Sequence, residues 1–269
     1  MKPIQLPTEK SVKSKSPTKL IIYSHPKVGK TELLSLLPNT LIIDSEHGAK
    51  FVEALSINLI DESINNGMSP FDVINSIAAQ LAEYKNTHGT HLYDYIAIDT
   101  LTGMEKIARS LATFLYKRSN IGKNFEGTDV VAELPKGGGY EWLRKAFDML
   151  VRPLEGKYNK AMIFTGHVKD SSINKLGVDI SARDLALTGK NQLLFIASVD
   201  TTGYLYRNPK NMNQTIISFK VHEQDLMSGA RPDHLSNQEF VICELTNPEE
   251  VAKGAKKQFV AHWDKIFID

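Results

Sequence analysis

The chain has one cysteine, Cys243, in 269 residues and almost no net charge: 32 Lys and Arg against 31 Asp and Glu, giving +1 at pH 7. A single thiol cannot close an intramolecular disulfide or build a cysteine-rich zinc site, and its scarcity suits a reducing cytoplasm. Balanced charge produces no overall basic field, so any nucleic-acid site has to be a local patch. No run is apolar for long enough to span a bilayer, and the basic first 19 residues contain no apolar core of the signal-peptide kind. Internal repeats are absent. A composition of 42% hydrophobic and 23% charged residues is that of an ordinary soluble globular protein. The length allows one large α/β domain with appendages, expected in the cytoplasm.

Residues 1–18 are rich in Lys, Ser and Pro without apolar periodicity. They read as a loose basic leader, or as an arm that docks on a neighbouring subunit or a polyanion. A core domain is expected over 19–225. Its buried strands are Leu20-Ile21-Ile22-Tyr23, Thr40-Leu41-Ile42-Ile43-Asp44, Tyr95-Ile96-Ala97-Ile98-Asp99 and Ala161-Met162-Ile163-Phe164-Thr165. Helical spacing falls between them, at 31–37, 71–84, 101–117 and 140–154. Apolar strands without alternation, separated by helices, predict a mainly parallel sheet covered on both faces. Beyond His167 the pattern becomes alternating and turn-broken. A hairpin near 173–180 and segments at 199–207 and 215–221 predict antiparallel strands added at one edge. Residues 226–269 read as an extension ending in an amphipathic helix over 247–267, opened by Pro248-Glu249-Glu250.

The strongest motif is Ser24-His25-Pro26-Lys27-Val28-Gly29-Lys30-Thr31, directly after a strand and directly before a helix. Such a loop points its backbone N–H groups inward around a β-phosphate at the positive end of a helix. Gly29 permits close backbone approach, Lys30 reaches the β- and γ-phosphates, and the Thr31 hydroxyl ligates Mg²⁺. The usual pattern opens with glycine, and Ser24 stands there instead. The site also needs a strand-end acid for the magnesium shell, and Asp99 supplies it. ATP with Mg²⁺ is therefore the expected ligand. Glu46, just past the strand that follows the loop's helix, can reach the water that attacks a γ-phosphate. Asp44 beside it reads as structural.

The run Asp44-Ser45-Glu46-His47 resembles the Asp-Ala-Glu-His strand end of RecA-type recombinases, which implies a RecA-like P-loop NTPase core with Glu46 as the catalytic glutamate. Position by position, His167 falls where that family keeps a γ-phosphate sensor. The runs Gly137-Gly138-Gly139-Tyr140, Thr165-Gly166-His167-Val168-Lys169 and Ala197-Ser198-Val199-Asp200 are similar to short phage-encoded RecA-like ATPases. These are an AAA-type family that includes single-strand-annealing recombinases. The likeness covers about 19–221.

The resemblance implies two DNA-facing loops, 119–139 and 169–189, with Lys123, Lys136, Lys169 and Lys175 as phosphate contacts. Acidic residues are interspersed in both. It also implies a ring or filament of identical subunits, in which Lys190 reaches a neighbour's γ-phosphate. A single-strand-binding protein is an expected companion. The function so implied is ATP-dependent single-strand annealing or strand exchange. A P-loop motor or loader of replication or packaging is the first alternative, and a nonenzymatic nucleotide-gated scaffold the second.

Overall fold

The computed structural model describes residues 6, 8–127, 138–155, 158–175, 178–222 and 227–268, with the backbone alone for 171–175 and 178–181. The apolar runs form β1 (Lys19–Ser24), β2 (Thr40–Asp44), β4 (Tyr95–Asp99) and the start of β5 (Ala161–Lys175), with a further strand, β3 (Leu55–Asn58), beyond β2. They run parallel in the order β1-β5-β4-β2-β3. On the other side of β1 lies β7 (Thr201–Asn208), also parallel to it. All these strands therefore deliver their carboxyl ends to one edge of the sheet, where α/β proteins place their ligands.

Both faces of β1, β2, β4 and the start of β5 are buried, which is why their sequences do not alternate. Ile21, Tyr23, Leu41, Ile43, Ile96, Ile98, Met162 and Phe164 point to one face. There they pack beneath α2 (Leu59–Asn66), α3 (Pro70–His88), α4 (Leu101–Lys117) and α5 (Gly139–Val151). The alternate residues Leu20, Ile22, Ile42, Ala97 and Ile163 face α1 (Lys30–Ser35) and the C-terminal segment. Local signals set the helix ends. Ser69 caps α3 by accepting from the Asp72 N–H, Pro70 stands in its first turn, and Gly89 ends it in the left-handed region. Thr100 caps α4 by accepting from the Gly103 N–H.

The antiparallel additions fall where alternation begins. β5 continues past the sheet and turns back as β6 (Val178–Leu185). The hairpin expected at 173–180 is the far end of this pair. β8 (Asn211–Ser218) and β10 (Glu239–Leu245) extend the sheet beyond β7, and the short β9 (Gly229–Ala230) pairs with β7.

Two expectations need correction. The long C-terminal helix over 247–267 does not form. Pro248–Val251 makes one short helix, α7, ended by Gly254 at φ +94°, and the chain then forms the edge strand β11 (Phe259–Ala261). Trp263 follows, and its indole N–H donates to the Leu33 carbonyl at 3.0 Å, so residues 239–266 complete the core over α1. The end of the leader is likewise anchored. The Thr18 hydroxyl and N–H donate to Asp200 at 2.6 and 2.9 Å. Ser16 exchanges hydrogen bonds with the backbone of Ile268, and Lys13 pairs with Asp233 at 3.1 Å.

Candidate functional site

The loop from Ser24 to Gly29 lies at the carboxyl end of β1 and enters α1 directly. Two residues in it adopt positive φ, Lys27 at 65° and Gly29 at 110°. The latter value is one that side chains avoid, so a glycine is required there. Lys30 is buried with its ammonium turned back into the loop, donating to the Ser24 hydroxyl at 3.0 Å and the His25 carbonyl at 3.4 Å. Ser24 is thus accounted for. It sits at the end of β1 without positive φ, and its hydroxyl takes up the lysine while donating to the His25 carbonyl at 2.8 Å. Burial pulls the Lys30 ammonium below its ordinary value, opposed by the Asp99 and then the Glu46 carboxylates.

Asp99 ends β4, the second strand over from β1, and is buried. The Thr31 hydroxyl donates to one of its oxygens at 2.5 Å and the Thr165 hydroxyl, from β5, to the other. Burial raises this carboxyl above the ordinary range, against the hydroxyls of Thr165 and Thr31 and the charge of Lys30. Thr31 and Asp99 present oxygen donors only, as Mg²⁺ requires. Among the described residues no group of three or more His, Cys, Asp or Glu could hold a metal alone. Mg²⁺ at phosphate sites is usually held by one or two protein oxygens together with water and substrate phosphates. Space is kept open by Gly48, where a Cβ would lie 3.0 Å from the Thr31 hydroxyl oxygen.

The tip of β2 is tied to the tip of β4. Ser45 donates through its N–H to the Asp99 carbonyl at 2.8 Å. Its hydroxyl donates to the Thr100 carbonyl and accepts from the Thr100 N–H. Asp44 accepts from the N–H groups of Glu46, Gly48 and Ala49 at 2.9–3.2 Å, so both of its carboxylate oxygens shape the turn. The structural reading of Asp44 fits this geometry.

Glu46 projects from this turn. It accepts from His167 Nε2 at 2.8 Å, from the Thr100 hydroxyl at 3.0 Å and from Lys106 at 3.2 Å. The His167 bond chiefly, helped by Thr100, the His167 charge and Lys106 against a desolvation cost, lowers its carboxyl from 4.5 to about 2. With the carboxylate ionised, His167 is the donor through Nε2–H, and its buried Nδ1 has no partner among the described residues.

Lys30, Thr31, Asp99, Glu46 and His167, scattered through the sequence, thus meet at one sheet edge. His25, Pro26, Lys27 and Val28 form the loop between them. The remaining candidates stand apart. Lys190 is exposed at the start of α6 (Asn191–Ala197). Lys123 and Lys169 are also exposed; Lys136 and the side chain of Lys175 lie outside the described residues.

Several contributors escaped the sequence reading. Thr165 was legible as a polar residue closing an apolar strand, two positions before His167. Lys106 and Gly103 were not, since both look like ordinary helix residues. At Gly103 a Cβ would come within 2.1 Å of the Ser45 hydroxyl oxygen and 2.7 Å of Glu46 Cγ, so only glycine lets α4 approach the β2 tip. Glu105, one turn into α4, is buried and accepts from the N–H and hydroxyl of Thr188 at 2.8 and 2.7 Å, clamping the segment before Lys190.

A strand, a phosphate loop and a helix, with an acidic strand end beside a lysine and a threonine, define an α/β P-loop NTPase core with antiparallel strands at its edge. A family model described as AAA domain matches residues 16–231, and the chain belongs to this family of AAA-type P-loop ATPases. Membership implies nucleotide binding, usually with Mg²⁺. None of the curated proteins compared with the chain matches it. Among the described residues no helix is long and apolar enough to cross a membrane.

Proposed function

We propose that the protein is an ATP-hydrolysing, RecA-like recombinase of the phage-encoded kind, which binds single-stranded DNA and promotes annealing or strand exchange. The observation that supports this most is the hydrogen bond between Glu46 and His167. It joins the carboxylate facing the γ-phosphate position to the strand that runs on into the β5–β6 hairpin. A group with one foot in each place can pass the state of the nucleotide to a surface beyond it.

In this reading Lys30 and the loop N–H groups hold the β- and γ-phosphates, and Thr31 with Asp99 hold Mg²⁺. When bound, Mg²⁺ supplies charge that offsets the developing negative charge on the phosphates. Glu46, an anion of low basicity, orients the attacking water. His167 leaves Glu46 for the γ-phosphate when nucleotide is present and returns after hydrolysis. The hairpin, with Lys169 and Lys175, is the DNA-facing element. Lys123 and Lys136 in the 119–139 segment contribute the second contact. Lys190 completes the site of a neighbouring subunit in a ring or filament. The protein works in the cytoplasm, alongside a single-strand-binding protein.

The full engagement of Glu46 also favours a second reading, in which the carboxylate never orients water and nucleotide merely gates a scaffold. The ATPase rate measured with and without single-stranded DNA separates the two. Stimulation by DNA supports the recombinase, and indifference supports the scaffold.

A further inference from the structure

β7 runs parallel to β1 with Tyr204 opposite Tyr23, so its carboxyl end rises beside the phosphate loop on the side away from β5, β4 and β2. Arg207 stands at that end. Its Nη2 lies 3.6 Å from the position a Cβ on Gly29 would take, placing the guanidinium against the flank of the loop. Its other terminal nitrogen, Nη1, donates to the Thr215 hydroxyl at 3.2 Å. Thr215 is buried on β8 directly across from Arg207, so the tether fixes where the guanidinium points. Among the described residues no carboxylate lies within 4.0 Å of Arg207. Arg207 is half-buried, and among the described residues the one hydrogen bond of its guanidinium goes to a neutral hydroxyl. A cation partly withdrawn from water with no carboxylate in direct contact is costly, and an anion arriving beside it relieves that cost.

We infer that Arg207 is a nucleotide ligand acting within its own subunit, gripping the α-phosphate end of the bound nucleotide. This rests on the P-loop reading and goes beyond it. Asp99, Glu46 and His167 all lie on the β5–β4–β2 side of the loop, which marks that side as the γ-phosphate end. The nucleotide crosses the loop from there, so its α-phosphate and ribose emerge toward β7. Lys30 serves the β- and γ-phosphates, and Arg207 adds a planar, always charged donor at the opposite end.

The test is calorimetric titration of ATP, ADP and inorganic triphosphate into wild type, Arg207→Gln and Arg207→Lys, with the ligand-free melting temperature measured alongside. Arg207→Gln should weaken ATP and ADP equally, by about tenfold, the loss of one charge-assisted contact. Arg207→Lys should recover part of the affinity, and inorganic triphosphate, which lacks the nucleoside that fixes its register, should lose less than ATP. ATP and ADP binding unchanged in Arg207→Gln overturns the inference while leaving the P-loop reading intact. A loss confined to ATP also overturns it, because the contact would then be with the γ-phosphate. A wild type that binds no nucleotide removes both readings together. Should Arg207→Gln fail to fold, Thr215→Val carries the test, since it keeps the charge but cuts the tether. Weaker ATP and ADP binding in equal measure is then expected, and unchanged affinity contradicts the proposal.

Discussion

His167 Nε2 donates to Glu46 across 2.8 Å, linking the turn after β2 to the root of the β5–β6 hairpin, 121 residues further along the chain. Hydrogen bonds to charged groups contribute roughly 1.5–3 kcal/mol each, so the two elements are coupled by an amount large enough to bias a switch.

The first expectation separates binding from chemistry. Glu46→Gln keeps the size and most hydrogen-bonding capacity of the side chain but removes its charge. ATP should bind with near-normal affinity while turnover falls ~100-fold or more. Steady-state hydrolysis and calorimetric binding on the same variant check this. Asp44, buried and holding three backbone N–H groups, is not expected to take over, and retained turnover in Glu46→Gln would make it the first acid to examine.

Glu46 also makes a pH prediction. Its carboxyl titrates at about 2 here, against 4.5 ordinarily, so the folded protein binds fewer protons than the unfolded chain in that window. Stability from this group is fully present above the upper value and is lost as pH falls toward the lower one. Urea unfolding of the ligand-free protein at pH 5 and pH 3 should show a steeper loss in wild type than in Glu46→Gln. Equal losses would remove the His167 bond from the ground state.

Gly103→Ala tests how closely α4 must approach. Alanine is the better helix former by about 1 kcal/mol, yet its methyl would overlap Ser45 and Glu46. The variant should fold with no gain in melting temperature and lose ATPase activity through displacement of Glu46. A stabilised, fully active Gly103→Ala would show that the β2 tip has room to spare.

The phosphate end of the site should divide cleanly. Lys30→Ala removes the buried cation in the loop and should abolish nucleotide binding in calorimetry. Asp99→Asn keeps both of its hydroxyl neighbours but loses the charge for Mg²⁺. It should bind ATP weakly and without the tightening that Mg²⁺ gives wild type. Normal ATP binding by Lys30→Ala would contradict the loop assignment.

The parallel core was readable because burial on both faces leaves uninterrupted runs such as Leu20-Ile21-Ile22-Tyr23, bounded by a motif whose chemistry is local. Asp99 was readable as the first acid closing such a run, whereas the run over β2 ends on Asp44, and only the likeness of Asp44-Ser45-Glu46-His47 to the RecA-type strand end pointed past it to Glu46. The edge was harder. β10 is partly exposed along its length, and Pro248-Glu249-Glu250 does begin a helix, which Gly254 ends after one turn. Arg207, Lys106, Gly103 and Glu105 act through neighbours far away in sequence, on residues that look ordinary in their own segments. Only the packing of α4 against the β2 tip, and of β7 beside β1, gives them a place at the site.

The central claim is that nucleotide and single-stranded DNA communicate through His167. Fluorescence anisotropy of a labelled single strand, with and without a nonhydrolysable ATP analogue, tests it most directly. Wild type should bind DNA more tightly with the analogue, and the affinity should fall with salt as lysine–phosphate contacts release counterions. Lys169→Ala with Lys175→Ala should flatten the salt slope while sparing nucleotide affinity. In His167→Ala, DNA and ATP should each still bind without enhancing the other. A wild-type protein that ignores single-stranded DNA in every nucleotide state would contradict the recombinase reading and leave an ATPase of another task.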